Sequence, residues 1–217
     1  MIRARLQLAC TLGILACASA AGGEAAIEGV VEIPAQSPPP VPGWRYPSRV
    51  LGEIGGPEPA AAVVFLEGSF PAPRRGAQTA EMAQLQYQFV PGLLPVARGA
   101  VVSFPNRDDE YHSVFSYSKP KRFDLGRYHR DETPAEILFD EAGVVRLYCE
   151  IHDHMRGTIL VLDTPHFAKT DPDGRYRLEG VPAGRYRLKA WRPPDELAEH
   201  AVELRDGATL RVDFPAE

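Results

Sequence analysis

The chain has 217 residues, 44% of them hydrophobic and 24% charged, with a formal net charge of −5. That balance suits one or two packed domains and excludes a wholly disordered chain. An acidic chain of this kind also argues against nucleic acid as a partner.

The start, Met1-Ile2-Arg3-Ala4-Arg5, is basic, Leu6 to Cys17 is apolar, and Ala18-Ser19-Ala20 carries the small residues of a cleavage site. Residues 1–20 therefore read as a secretory signal cut after Ala20, which predicts a periplasmic or secreted protein. The apolar run is shorter than the roughly 18 residues of a spanning helix, and no later run approaches that length. A secondary reading takes Ile14-Leu15-Ala16-Cys17 as a loose lipobox, leaving Cys17 as a lipidated N-terminus. Cleavage after Ala20 removes Arg3 and Arg5, making the charge two units more negative, and leaves Cys149 as the one cysteine. No internal disulfide can then form. A lone thiol in an oxidising compartment is protected by burial or by a metal, which favours a ligand role for Cys149.

Ala25 to Val31 reads as a short strand, and Pro34 to Pro47, with its six prolines, as an extended surface loop. Ala60 to Leu66 is an apolar run of strand length closed by the Glu67-Gly68-Ser69 turn. Gln84 to Val90 alternates, placing Leu85, Tyr87 and Phe89 on one face of a predicted strand, with Pro91-Gly92 ending it. Leu94, Val96 and the run Ala100 to Phe104 give further strands. Ser116 to Tyr128 is polar with scattered aromatics and reads as loop. Val144 to Tyr148 and Thr158 to Leu162 are strands flanking Cys149 to Gly157.

Beyond Asp163 the sequences Gly174-Arg175-Tyr176-Arg177-Leu178 and Gly184-Arg185-Tyr186-Arg187-Leu188 repeat a pattern. They read as a hairpin with Tyr and Leu inward and Arg outward. The outward Arg175, Arg177, Arg185 and Arg187 form a stripe that reads as a solvated face, with an acidic or polysaccharide partner as the sharper alternative. Asp171-Pro172-Asp173-Gly174 is turn chemistry, since it lacks the later oxygen ligands of a calcium loop. Ala201 to Leu204 and Thr209 to Phe214 close the chain as strands around Asp206-Gly207. The fold class is all-β.

Within this frame, Cys149-Glu150-Ile151-His152-Asp153-His154-Met155 puts a thiolate, an imidazole and a thioether in one loop between two strands. Blue-copper electron-transfer sites use two His and one Cys near a plane with a long axial Met, because soft sulfur favours Cu(I) while imidazole accepts both oxidation states. The second imidazole is assigned to His112, at the end of the segment from Ser103. The expected metal ligands are His112, Cys149, His152 and Met155, with His154 the rival to His152. Zinc is disfavoured by the single Cys and the thioether, and a Cys-His nucleophilic dyad accounts for neither Met155 nor His112.

Met82 to Asp163 resembles the cupredoxin family, above all its amicyanin and pseudoazurin type, a plastocyanin-like group. The residues that carry the likeness are Tyr87, Phe89-Val90-Pro91, Gly99-Ala100-Val101-Val102, Phe104-Pro105-Asn106, His112-Ser113-Val114 and Cys149 through Gly157. The resemblance implies a Greek-key β-sandwich with His152 near the surface as the electron port, and a redox partner such as a cytochrome or dehydrogenase. Many members carry Asn after the first His ligand, where it ties the two ligand loops together; Ser113 is a shorter tether. The part around Thr170 to Tyr176 and Val181 to Tyr186 resembles carboxypeptidase-regulatory, transthyretin-like β-sandwiches, which also occur among carbohydrate-binding-like folds. The predicted organisation is a cupredoxin unit, 80–163, inserted into a second small sandwich of the Ig/transthyretin-like kind made of 25–72 and 164–217. The expected function is single-electron transfer through one copper ion, without enzymatic activity. The alternative is a copper-handling or polymer- or envelope-binding module with a structural copper.

Overall fold

The computed structural model describes residues 24–34, 54–56, 58–71, 74–132 and 136–216. The predicted signal segment, Cys17 and nearly all of the proline-rich stretch lie outside these residues. Among the described residues there is no helix, and so none long and apolar enough to cross a membrane. The all-β reading holds.

A five-stranded sheet forms one wall of the first sandwich. It runs in the order β6 (Leu93–Ala97), β12 (Arg156–Leu162), β11 (Gly143–Tyr148), β8 (His112–Ser118), β9 (Lys121–Tyr128). Opposite it lie a three-stranded sheet, β10 (Glu136–Phe139), β7 (Ala100–Ser103) and β3 (Thr79–Glu81), and the hairpin of β4 (Ala83–Leu85) with β5 (Gln88–Val90). Alternation along each strand sends one set of side chains inward. Met82, Phe89, Val102, Phe104, Phe139, Val145, Leu147 and Ile159 form the core, and Cys149 and Met155 are part of it.

The second sandwich pairs β14 (Arg175–Val181), β1 (Ala25–Val30) and β17 (Thr209–Arg211) in one sheet. The other holds β13 (Phe167–Lys169), β2 (Val63–Glu67), β15 (Gly184–Arg192) and β16 (Glu196–Leu204). Strands from before and after the first sandwich thus share both sheets, around a core that includes Ile27, Val31, Val64, Leu66, Leu178, Leu188 and Phe214. At Gly29 the backbone of the final segment passes so close that an added Cβ would lie 1.7 Å from the Val212 carbonyl oxygen. Between the sandwiches Val63, Leu93, Leu160, Leu162 and Trp191 form a third apolar cluster. The connection from β1 to β2 also reaches the first sandwich: Gly55 N donates to Gln86 O at 3.0 Å, and Gln88 Nε2 donates to Gly56 O at 3.1 Å.

Three readings of the sequence need correction. Residues 84–90 are two strands around a tight turn at Gln86–Tyr87, whose φ angles of 51° and 59° lie in the left-handed region. Such a two-residue turn matches the twist of a hairpin, although non-glycine residues there cost on the order of 1–3 kcal/mol each. Residues 116–128 are a well-paired hairpin of β8 and β9, since Phe123 and Leu125 alternate inward against the core while the charged residues face out. The repeated Tyr-Leu segments have the expected faces, with Tyr176, Leu178 and Leu188 buried, but they do not pair with each other. Instead β14 pairs with β1, and β15 pairs with β2 and β16, so Pro182-Ala183 arches from one sheet to the other. The arginine stripe is neutralised: Arg175 pairs with Asp173, Arg177 with Glu28 and Glu179, Arg185 with Glu203, and Arg187 with Glu67. It is a solvated face.

Candidate metal centre

The site is built from two segments at one end of the first sandwich. β11 carries Leu147 inward, and the chain leaves the ladder at Cys149, so the thiol enters the pocket from a strand end. A tight turn follows, closed by Met155 N donating to His152 O at 2.9 Å. Gly157 then lets β12 pass under β5: an added Cβ would meet Phe89 Cβ at 3.0 Å and Met82 Sδ at 3.1 Å. The second segment is the loop between β7 and β8. Its Asn106 donates to the carbonyls of Glu110 at 2.7 Å and Tyr128 at 3.1 Å, and accepts from Asp108 N at 3.0 Å. This fixes the turn that delivers His112.

The structure brings together three of the four expected residues by their donor atoms. His112 Nδ1 lies 3.1 Å from His152 Nδ1 and 4.0 Å from Cys149 Sγ, which is 3.7 Å from His152 Nδ1. All three residues are buried, with exposures of 0, 4 and 5% for His112, Cys149 and His152. Met155 is 1% exposed and packs in the same core as Cys149. His154 is not among the converging donors; its ring centroid sits 6.0 Å from that of His152, and its Nε2 is buried without a hydrogen-bond partner.

These separations fit one shared ion. With metal–nitrogen bonds of about 2.0 Å and metal–sulfur bonds of about 2.3 Å, a trigonal arrangement places nitrogen and sulfur roughly 3.7 Å apart. Two imidazoles, one thiolate and a nearby thioether are also the donor set that copper favours over zinc.

Ser113 does what a tether must do. Its hydroxyl accepts from Glu150 N at 2.8 Å, joining the two ligand segments, and its own amide points at Cys149 Sγ from 3.5 Å. Two further residues were not legible as site residues. Asp108 accepts from His112 Nε2 at 2.9 Å and from the amides of Gln86 at 2.6 Å and Tyr87 at 2.9 Å. The Tyr87 ring stands edge-on to both imidazoles, with centroids 5.7 Å from His112 and 5.1 Å from His152. The signal that could have found Asp108 is its position four residues before a histidine; nothing in the alternation of residues 84–90 reveals the turn.

The electrostatics follow from burial and contact. Burial works against the Cys149 thiolate, but the hydrogen bond to His112 and the amides of Ser113, His152 and Ile151 outweigh it and bring its pKa down to about 7. Burial, then the nearby His112 and His154, lower His152 to about 4. For His112, burial opposes the cation, yet contacts with Cys149 and Asp108 prevail and raise its pKa.

The signs give a prediction for the metal-free protein. Between about 4 and 6.5, His152 binds a proton in the unfolded chain and not in the fold, so stability falls as pH drops through that window. Cys149 acts in the same direction from 9.0 down to about 7. His112 has the opposite sign, its stabilisation being lost as pH rises through its elevated pKa. The two large downward shifts should dominate, so thermal melts of metal-free protein should show a rising melting temperature across both windows.

Residues 156–217 match the carboxypeptidase regulatory-like domain family. That match begins in β12, which pairs within the first sandwich, and excludes β1 and β2 of the second. Among solved structures, the chain is similar to a purple cupredoxin from Nitrosopumilus maritimus, with 22% identity over 38% of this chain and 99% of that one, and a TM-score of 0.35. It is similar to an oxidised point mutant of amicyanin, with 21% identity over 42% of this chain and 92% of the other, TM-score 0.36. A copper-containing nitrite reductase from Thermus scotoductus matches at 22% identity over 43% of this chain and 26% of its own length, TM-score 0.38. No curated protein matches the chain. The chain thus combines two β-sandwiches, the second of which holds most of the carboxypeptidase regulatory-like match.

Proposed function

We propose that the protein is an exported, non-enzymatic carrier of single electrons that holds one copper ion through His112, Cys149 and His152, with Met155 as the weak axial donor. The observation that carries this reading is the convergence of two imidazole nitrogens and one thiol sulfur at 3.1–4.0 Å in a buried pocket. Bound copper would supply a one-electron couple between Cu(II) and Cu(I).

The chain's own contribution is a rigid, dry setting for that couple. Cys149 gives up its proton near neutrality, and strand ends and the Ser113 tether hold the donors in place. Core side chains exclude water on the inner side. His152 is the more exposed imidazole, which supports it as the point facing a redox protein partner such as a cytochrome or dehydrogenase. Residues 80–163 form the electron-carrying unit, and 25–72 with 164–217 the second sandwich, into which the first is inserted.

Met155 tests the axial assignment. A thioether favours Cu(I), and the harder amide oxygen of Gln favours Cu(II), so Met155→Gln should lower the reduction potential measured by voltammetry. An unchanged potential would show that Met155 is not bound.

A further inference from the structure

We infer that Asp108 is a positioning residue of this site: its carboxylate presets His112 and, through the Gln86–Tyr87 turn, seats an aromatic ring against both imidazoles, completing the donor cage before metal enters. The inference rests on the assignment of His112 and His152 as ligands.

The Asp108 side chain is 11% exposed, and its two oxygens receive three hydrogen bonds from two parts of the chain. The first route runs directly to His112. An imidazole that commits its Nε2–H to a carboxylate must present the Nδ1 lone pair on its other side. In this fold that side faces His152 and Cys149.

The second route runs through the backbone. Amides at the centre of a two-residue hairpin turn lie outside the strand ladder, so those of Gln86 and Tyr87 need another acceptor. Asp108 accepts both. It thereby holds two non-glycine residues in left-handed conformations, and that backbone places the Tyr87 ring at 83° to each imidazole ring. One carboxylate therefore orients one ligand by hydrogen bonding and packs both by way of a turn.

The test uses the full-length, metal-free protein and nitrogen NMR of its histidines at a pH where His112 is neutral. In the unmutated protein, His112 should be the Nε2–H tautomer, and finding the Nδ1–H tautomer overturns the inference whatever any variant does. Asp108→Ala should yield a tautomer mixture and lower Cu(II) affinity about 10–100-fold, the usual cost of losing such outer support. Asp108→Asn keeps the size of the side chain, removes its charge and should raise the reduction potential without a matching loss of fold. A role confined to holding the loop would lower the melting temperature and leave tautomer and potential unmoved, and that result rejects the inference. Failure of the unmutated protein to bind copper would reject the electron-transfer reading instead, since the tautomer is read without metal.

Discussion

Replacing Cys149 with serine is expected to abolish the intense visible absorption of the copper-loaded protein while the far-UV circular dichroism of its strands persists. The thiolate is the donor whose bond to Cu(II) gives such sites their colour, and Cys149 is the only cysteine among the described residues. The fold brings its pKa down to about 7, so at neutral pH much of the thiol proton has already been displaced. A serine hydroxyl keeps its proton at that pH and offers hard oxygen where soft sulfur is needed. Copper affinity should therefore fall by more than the roughly 100-fold that loss of outer-shell support costs. The fold should tolerate the change because serine is slightly smaller and can accept the Ser113 amide that now points at the sulfur. Absorption titrations with Cu(II), run on both proteins, check this. A serine variant with undiminished colour would remove Cys149 from the site.

The second large effect concerns the second sandwich. A fragment of residues 164–217 is expected to be unfolded, and joining residues 25–72 to it through a short Gly-Ser linker should restore β-structure. The reason lies in sheet order. β1 stands between β14 and β17, and β2 between β13 and β15, so the fragment lacks an interior strand of each sheet. It also lacks Ile27, Val31, Val64 and Leu66, all fully or almost fully buried. Burial of each such side chain is worth about 1.5–3 kcal/mol. Together they amount to roughly the 5–15 kcal/mol by which whole domains are stable. Far-UV circular dichroism and a denaturant melt distinguish the outcomes. Cooperative unfolding of residues 164–217 alone would show that the two units are sequential rather than nested.

What the sequence disclosed, and what it hid, follows from how local each signal is. The grouping of Cys149 with His152 was legible because their donor types are rare and fall within one short loop, and that of His112 because an apolar strand runs toward it. The inward faces of β14 and β15 were legible because alternation is a local property. Their pairing was not, because Gly180 to Ala183 can close a hairpin or arch between sheets, and the choice is made by β1 and β2, more than a hundred residues away. The β8–β9 hairpin was hidden by its polar outward residues, which diluted the contribution of Phe123 and Leu125. The Gln86–Tyr87 turn was hidden for a different reason. Neither residue favours a left-handed conformation, and the acceptor for their amides, Asp108, arrives from another loop. Ser113 was read as a weak tether on length alone, whereas the approach of the Cys149 loop brings Glu150 N within 2.8 Å of its hydroxyl.

The central claim is that His112, Cys149 and His152 hold one copper ion as an electron-transfer site with Met155 on its axis. Adding Cu(II) to the metal-free protein and recording visible and paramagnetic-resonance spectra tests it most directly. Binding of one equivalent, an intense blue colour, or green if the axial bond is short, a narrow copper hyperfine splitting, and reversible bleaching on one-electron reduction are expected. A colourless complex with the wide splitting of ordinary tetragonal Cu(II) would contradict it.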